Sequence, residues 1–117
     1  EEAGTDEEAC EAVEFLLSIG ADLNAVANTG DTAMHGAAFA NFPKVIALLD
    51  ARGAKLEVWN TKNKRGWTPL LIAEGHRYGN FKPGFSTIAA FHELFRKHGL
   101  AIPPPTPRVE RQGYADP

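Results

Sequence analysis

Histidine can act as a metal ligand, an acid or a base near neutral pH. The chain holds four: His35, His76, His92 and His98. A metal site needs several ligands that converge on one point, and helical residues share a face when they are three or four apart. His92 and His98 are six residues apart, and His76 is expected in a loop, so the spacing predicts no metal site. His98 directly precedes a helix-ending glycine, where an imidazole interacts favourably with the negative end of the helix dipole.

Cys10 is the single cysteine of the chain, so no internal disulfide can form. It stands among Glu7, Glu8 and Glu11, whose carboxylates disfavour the thiolate that covalent catalysis requires. The sequence contains no nucleophile elbow, phosphate-binding loop or dinucleotide-binding glycine fingerprint. We therefore expect no enzymatic activity and no cofactor.

The bulk composition limits the classes of partner. The chain has 117 residues, 44% of them hydrophobic, with a net charge of -3 and a pI near 5.8. It therefore lacks the broad positive field that draws in nucleic acid, and it has no apolar run long enough for membrane insertion. One domain is expected, in a compartment that the composition leaves open. Because the chain begins at Glu1 rather than methionine, we expect that any upstream sequence has been processed away or cut off.

An internal repeat organises the chain. Residues 11–23 align with residues 44–56 at an offset of 33, and both segments place apolar residues on one helical face before ending at Gly-Ala. Gly20, Gly53 and Gly99 each follow such an apolar helix, where a left-handed residue often ends the helix. Thr5 and Glu8 form a possible capping box for the first helix. The pattern predicts helices over residues 6–18, 33–40, 43–51, 69–75 and 87–98, with hairpin-like turns near 22–31 and 56–66.

Side-chain size predicts how these helices stack. The helices predicted over residues 33–40 and 69–75, called the inner helices, carry small residues that let them pack closely: Ala37, Ala38, Ala40 and Ala73. Larger apolar residues fill the space behind them: Val45, Ile46, Leu48, Leu49, Phe91, Leu94 and Phe95. The expected result is a solenoid that is stabilised mainly by contacts between neighbouring repeats.

Residues 32–38 (TAMHGAA) and 68–73 (TPLLIA) resemble the Thr-Pro-Leu-His-x-Ala-Ala signature of ankyrin repeats. The resemblance covers about residues 7–102. The chain also resembles the last repeats of bacterial ankyrin proteins. Two positions depart from the signature, because Ala33 replaces the usual proline and Leu71 replaces the usual histidine. The resemblance implies an all-α solenoid of helix-turn-helix units with projecting β-hairpin-like turns. It also implies a protein-interaction module, in which His35 has a structural role near the threonine and the adjacent hairpin.

Differences in spacing suggest how the repeats are divided. The interval from Gly53 to Thr68 is three residues longer than that from Gly20 to Thr32, so the second hairpin should project further, around residues 59–65. The interval from Thr68 to Gly99 is ten residues longer than that from Thr32 to Gly53, which predicts an insertion near 76–85 in the last repeat. We expect a partial repeat over 6–27, a complete repeat over 28–62, a terminal repeat over 63–102 and a proline-rich extended tail over 103–117. An array that begins halfway through a repeat should expose apolar surface at its N-terminal face.

Ankyrin proteins bind partners through hairpin tips and the exposed face of the inner helices. Carried over from the matching threonines, this predicts nine partner-binding residues: Asn28, Thr29, Asp31, Phe39, Ala40, Lys64, Arg65, Trp67 and His76. Trp59 and Lys62 are added to the set because the longer second hairpin should display them. The segment from Trp59 to Trp67 is the favoured patch because tryptophan and arginine often dominate interface energetics. The alternative is that either tryptophan covers the neighbouring hairpin and that Phe39 packs against the insertion.

The expected partner is a protein of unknown identity. Two other functions stay open: a structural end cap or self-associating segment that uses the exposed N-terminal face, and an accessory domain of an enzyme encoded upstream. The Pro-x-x-Pro pattern at residues 104–107 is either a ligand for an aromatic groove or part of a solvated or loosely docked tail.

Overall fold

The computed structural model describes residues 5–76 and 83–105. Within them the helices are α1 (Asp6–Ser18), α2 (Ala33–Ala40), α3 (Pro43–Ala51), α4 (Leu56–Trp59), α5 (Pro69–Ala73) and α6 (Phe85–Lys97). An inner row is formed by α2 against α5, and an outer row by α1, α3 and α6 side by side. The pairs α2–α3 and α5–α6 join the two rows, and the described residues contain no strand. The predicted all-α solenoid is confirmed.

Local signals account for the ends of most helices. The N–H of Glu8 donates to Thr5 Oγ1 (3.1 Å) and the N–H of Thr5 donates to Glu8 Oε1 (3.2 Å), which confirms the predicted capping box of α1. The predicted bounds of α1, α2 and α3 are also confirmed. Helix α5 ends at Ala73, two residues earlier than predicted, and α6 begins at Phe85, two residues earlier.

The core lies between the two rows of helices. Small side chains from α2 and α5 are buried where these helices meet: Ala37, Ala38 and Ala73. Larger side chains from the outer row fill the space behind them: Val45, Ile46, Leu49, Phe91, Leu94 and Phe95. Each large side chain contributes about 1.5–3 kcal/mol when fully buried. Two predicted core residues are less buried than expected, since Ala40 is exposed and Leu48 is only half-buried.

Helix α1 has no buried residue and joins the outer row partly through polar contacts. The Asp6 carboxylate accepts hydrogen bonds from the N–H groups of Lys44 (2.8 Å) and Val45 (3.1 Å). These are orphan donors in the first turn of α3, so a side chain of one repeat caps the helix of the next. The exposed ion pair between Glu7 and Lys44 adds little stability because water screens it.

A buried carboxylate ties α3 to α6. The side chain of Asp50 is 2% exposed and accepts hydrogen bonds from Lys97 Nζ (2.6 Å) and His98 Nε2 (2.7 Å). Burial disfavours its charged form, but the hydrogen bonds from Lys97 and His98 outweigh that cost and lower the pKa of Asp50. His98 is the C-cap of α6, as its place in the sequence indicated, and it also serves this carboxylate.

Candidate binding face

Two projecting turns, the first tip (residues 27–31) and the second tip (residues 63–67), are closed by the same pair of backbone hydrogen bonds. In each, the N–H of the first residue donates to the carbonyl of the fifth (2.9 Å in both tips). The N–H of the glycine in fourth place donates to the carbonyl of the first residue (2.8 and 2.9 Å). Each tip directly precedes the threonine that is the N-cap of an inner helix, Thr32 for α2 and Thr68 for α5.

Asn63 holds the two tips together. It is 8% exposed, and its Nδ2 donates to Asp31 Oδ1 of the first tip (2.9 Å). Its Oδ1 accepts from the N–H groups of Arg65 and Trp67 (3.0 Å each). One buried amide therefore shapes the second tip and attaches it to the first.

The backbones of the two tips also approach each other closely at Gly30. This glycine has φ +83°, and a Cβ placed on it would lie 3.0 Å from Asn63 Cα and 3.2 Å from Lys64 N. The same Lys64 N–H donates to the carbonyl of Thr29 (2.8 Å). The position therefore needs glycine both for its backbone angle and for the space.

Two polar side chains of the first tip, Thr29 and Asp31, form hydrogen bonds within the fold. Thr29 Oγ1 donates to Asp31 Oδ2 (2.7 Å), so both carboxylate oxygens of Asp31 accept a hydrogen bond. Burial of Asp31 favours its neutral form, but the hydrogen bonds from Asn63 and Thr29 prevail and lower its pKa. Asn28 is exposed and adjoins this network.

The second tip displays cationic and aromatic groups instead. Lys64 and Arg65 of this tip are exposed, as is Lys62 directly before it, and Trp67 is half-buried. The guanidinium carbon of Arg65 lies 5.9 Å from the centroid of the Trp67 ring, within the range of a cation–π contact. This cluster presents positive charge next to an aromatic surface.

The exposed side of α2 continues from the tips. Its exposed residues recur at helical spacing: Ala33, Gly36, Phe39 and Ala40. Phe39 is 57% exposed and is the large apolar side chain of this stripe. Leu71 and Glu74 are half-buried at the neighbouring α5. The alternative packing of Phe39 against the insertion concerns residues 77–82, which lie outside the described residues.

His35 links α2 to the segment that carries the second tip. It is 1% exposed, its Nδ1 accepts from the N–H of Thr32 (3.0 Å), and its Nε2 donates to the carbonyl of Thr61 (2.9 Å). These two bonds require the neutral tautomer with the proton on Nε2. Burial lowers the pKa of His35, against the opposing effect of the Thr61 hydrogen bond. The structural role predicted for this histidine is confirmed.

Trp59 does not belong to the exposed face. It ends α4 and is 2% exposed, with its ring centroid 5.6 Å from that of Phe91 and 6.4 Å from that of Phe95. The prediction that a longer hairpin displays Trp59 is wrong, as is the hairpin-like turn predicted to begin at residue 56. The three additional residues are accommodated by the turn of helix α4, which places the indole in the core, where its large apolar surface leaves water.

The remaining reactive side chains do not converge on one site. His76 is half-buried after the end of α5, and its N–H donates to the carbonyl of Leu71 (3.0 Å). Burial raises the pKa of the Cys10 thiol, and the negative charge of Asp6 raises it further. Residues 5–76 and 83–105 contain no group of three histidine, cysteine or acidic side chains placed to hold a metal ion. None of their helices combines the length and apolar character needed to cross a bilayer.

The first residues of the proline-rich tail lie beside α5. Pro103 and Pro104 line an open groove together with Leu71 and Glu74. The Pro-x-x-Pro pattern extends beyond residue 105, so its last two residues lie outside the described part of the chain.

A second exposed surface lies on α1. Phe15, Leu16 and Ile19 are 63%, 49% and 65% exposed, while Ala9, Cys10 and Val13 of α1 pack against the core. The expectation of apolar surface at this end of the stack is confirmed.

Sequence reasoning overlooked Asn63. The signal that would have identified it is the alignment of the two tips at an offset of 36, in which Asn63 opens the second turn where Ala27 opens the first. A side-chain amide at that position supplies both a donor and an acceptor.

Comparison with known proteins agrees with this architecture. The chain matches the family model described as "Ankyrin repeats (3 copies)" over residues 3–81. A search of curated protein sequences gave no match. The matched segment spans more than half of the chain and contains both tips and α1–α5. The chain therefore belongs to the ankyrin-repeat family, whose members generally serve as protein–protein interaction modules.

Proposed function

We propose that this chain binds a protein partner through one surface made of the second tip and the exposed stripe of α2. The observation that carries the proposal is the anchoring of the second tip by Asn63, whose side chain is buried while its neighbours face solvent. A surface that is already ordered loses little conformational entropy when a partner binds. Members of this family generally lack enzymatic activity, and binding without catalysis is the role proposed here.

The proposed contact residues have two kinds of chemistry. The second tip supplies Trp67 and Arg65, which are residue types enriched among those that dominate interface energetics. The α2 stripe supplies the exposed ring of Phe39 beside the small side chain of Ala40. Thr29 and Asp31 serve mainly to hold the first tip against the second, so we expect them to act on binding through its shape.

Site-specific photo-cross-linking tests the location of the surface. p-Benzoylphenylalanine would replace Phe39 or Trp67 on the proposed face, and Glu93 or Arg96 on the outer helix α6 as matched controls. In a lysate of the cells that make the protein, we expect partner adducts from the first pair of positions and none from the second. Equal adduct yields from all four positions, or adducts from α6 alone, would contradict the proposal.

Self-association through α1 is a second candidate function. Its supporting observation is the exposed surface of Phe15, Leu16 and Ile19. A second copy would bring the acidic side chains of two α1 helices together, including Glu11, and this repulsion places the candidate behind the first. Light scattering on the wild type and an Ile19→Lys variant separates the two, because a monomer at high concentration in both rules out self-association.

A further inference from the structure

The charge of the second tip differs from that of the chain as a whole. The net charge is -3, yet Lys62, Lys64 and Arg65 stand within four consecutive positions. On the outer helices, Lys44, Arg52, Arg96 and Lys97 each form an ion pair with an acidic side chain. Among the described residues, no such ion pair involves Lys62 or Lys64. Their charges are therefore available to an external group.

The acidic residue of the neighbouring tip does not neutralise these lysines through a hydrogen bond. Both carboxylate oxygens of Asp31 accept from other donors, Thr29 Oγ1 at 2.7 Å and Asn63 Nδ2 at 2.9 Å. Both donors are neutral, so Asp31 keeps its negative charge, which interacts with Arg65. The ammonium groups of Lys62 and Lys64 stay exposed. A partner that brings its own carboxylates would complement them.

The positions of the cations are defined by the fold. Lys64 donates its N–H to Thr29 O (2.8 Å), and Arg65 donates its N–H to Asn63 Oδ1 (3.0 Å). The Trp67 ring under the Arg65 guanidinium adds an apolar surface beside the charges. Such a surface favours a ligand that carries an apolar side chain among its acids.

We propose that the second tip recognises an acidic peptide segment of a partner protein, with an apolar side chain between its acidic residues. This inference rests on the proposed function and adds the chemistry of the partner. A short segment is favoured over a long polyanion such as nucleic acid, because the rest of the chain is acidic. Glu11 of α1, for example, is exposed and would repel phosphates that extend beyond the tip.

Fluorescence anisotropy with defined peptides tests the proposal on the full chain. The probes are fluorescein-labelled peptides of four triplets each: Glu-Glu-Leu, Gln-Gln-Leu and Lys-Lys-Leu. We expect the glutamate peptide to bind at least about fivefold more tightly than the glutamine peptide, and we expect no binding of the lysine peptide. Raising the salt concentration from about 50 mM to about 500 mM should remove most of the difference, because it shortens the screening length.

Matched variants identify the charges responsible. Lys62→Gln/Lys64→Gln removes two exposed charges, one in the tip and one directly before it. Lys44→Gln/Arg96→Gln removes two from the outer helices, so each double variant changes the net charge from -3 to -5. We expect the tip variant to lose about fivefold in affinity for the glutamate peptide and the control to lose less than about twofold. Circular dichroism should show that both variants are folded.

Several results would overturn the proposal: equal affinity for the glutamate and glutamine peptides, no binding of any peptide, or an equal loss of affinity in the tip variant and its control. Binding of single-stranded DNA as tight as that of the glutamate peptide would also overturn it, since the tip would then be a general polyanion site. Cross-linking from the Phe39 and Trp67 positions is independent of partner charge. If that labelling persists while the peptides fail, the proposed function stands and only the acidic chemistry is wrong.

Discussion

Two connections lead from an outer helix to the next inner helix, the first connection (residues 20–32) and the second connection (residues 53–68). Both end in the same closed turn, but they bury different side chains. The first contains no helix, and its Val26 is 57% exposed, whereas the second forms α4 and places Trp59 in the core. At the tips, Asp31 is occupied in holding the fold together, while Trp67 lies beside exposed cations.

This difference shows how one backbone turn can serve two purposes. The hydrogen bonds that close each turn run between main-chain atoms, so they place few demands on the side chains. The side chains are then available for joining repeats, as in the first tip, or for display, as in the second. Binding specificity in such a fold therefore depends on the surface side chains rather than on the turn itself.

The two tryptophans of the second connection offer the largest contrast. Trp59→Ala should lower the free energy of unfolding by about 3–5 kcal/mol, because it leaves a cavity beside Phe91 and Phe95. Trp67→Ala should cost less than about 1 kcal/mol, because that side chain is only half-buried. Urea denaturation followed by circular dichroism measures both. Similar losses in the two variants would contradict the division between core and surface.

The link between the tips is expected to have the next largest effect. Asn63→Ala should lower the free energy of unfolding by about 2–3 kcal/mol, because the N–H groups of Arg65 and Trp67 and the carboxylate of Asp31 lose their partner. Asn63→Asp keeps the acceptor oxygen but places a second carboxylate beside Asp31. We therefore expect it to be destabilised as well.

Exchange of the two side chains is the control for that link. Asn63→Asp/Asp31→Asn restores an amide opposite a carboxylate and should recover at least half of the stability lost in Asn63→Asp alone. If the double variant is as unstable as the sum of the single variants, Asn63 acts only within its own tip.

The glycines of the two tips differ in their surroundings. Gly30 and Gly66 have φ +83° and +87°, so alanine at either position carries a backbone cost of about 1–2 kcal/mol. A Cβ on Gly30 would also lie 3.0 Å from Asn63 Cα, whereas one on Gly66 would have no atom within 4 Å. Gly30→Ala should therefore be less stable than Gly66→Ala by about 1 kcal/mol in urea denaturation. Equal losses in the free energy of unfolding would show that the two tips can move apart to make room for the Cβ at residue 30 without a loss of stability.

Features encoded by neighbouring residues could be predicted from the sequence. The start of α1 follows from Thr5 and Glu8, and its end follows from Gly20, because capping and left-handed stops act within a few residues. The burial of Trp59 could not be predicted in this way. It depends on whether three additional residues extend a turn or form α4, and the core around Phe91 favours the helix.

The candidate face was predictable to a similar extent. The position of each tip follows from the threonine that begins the next inner helix, and this relation also led to Lys64, Arg65 and Trp67. The roles of Asp31 and Asn63 depend on a contact between residues 32 positions apart, which no local pattern shows. The partner-binding residues themselves stay predictions.

The smallest expected effect concerns His35, which joins α2 to the second connection. Because burial lowers its pKa, the unfolded chain binds a proton more readily than the folded chain. The stabilisation is therefore complete above the ordinary histidine pKa of about 6.5 and is lost as the pH falls towards the lowered value of the folded state. The loss should approach, but not exceed, about 1.4 kcal/mol per pH unit. Urea denaturation at pH 7.5, 6.5 and 5.5 measures this loss. His35→Gln cannot take up a proton at this position, so its free energy of unfolding should depend less on pH. An equal dependence on pH in both proteins would assign the effect to other groups.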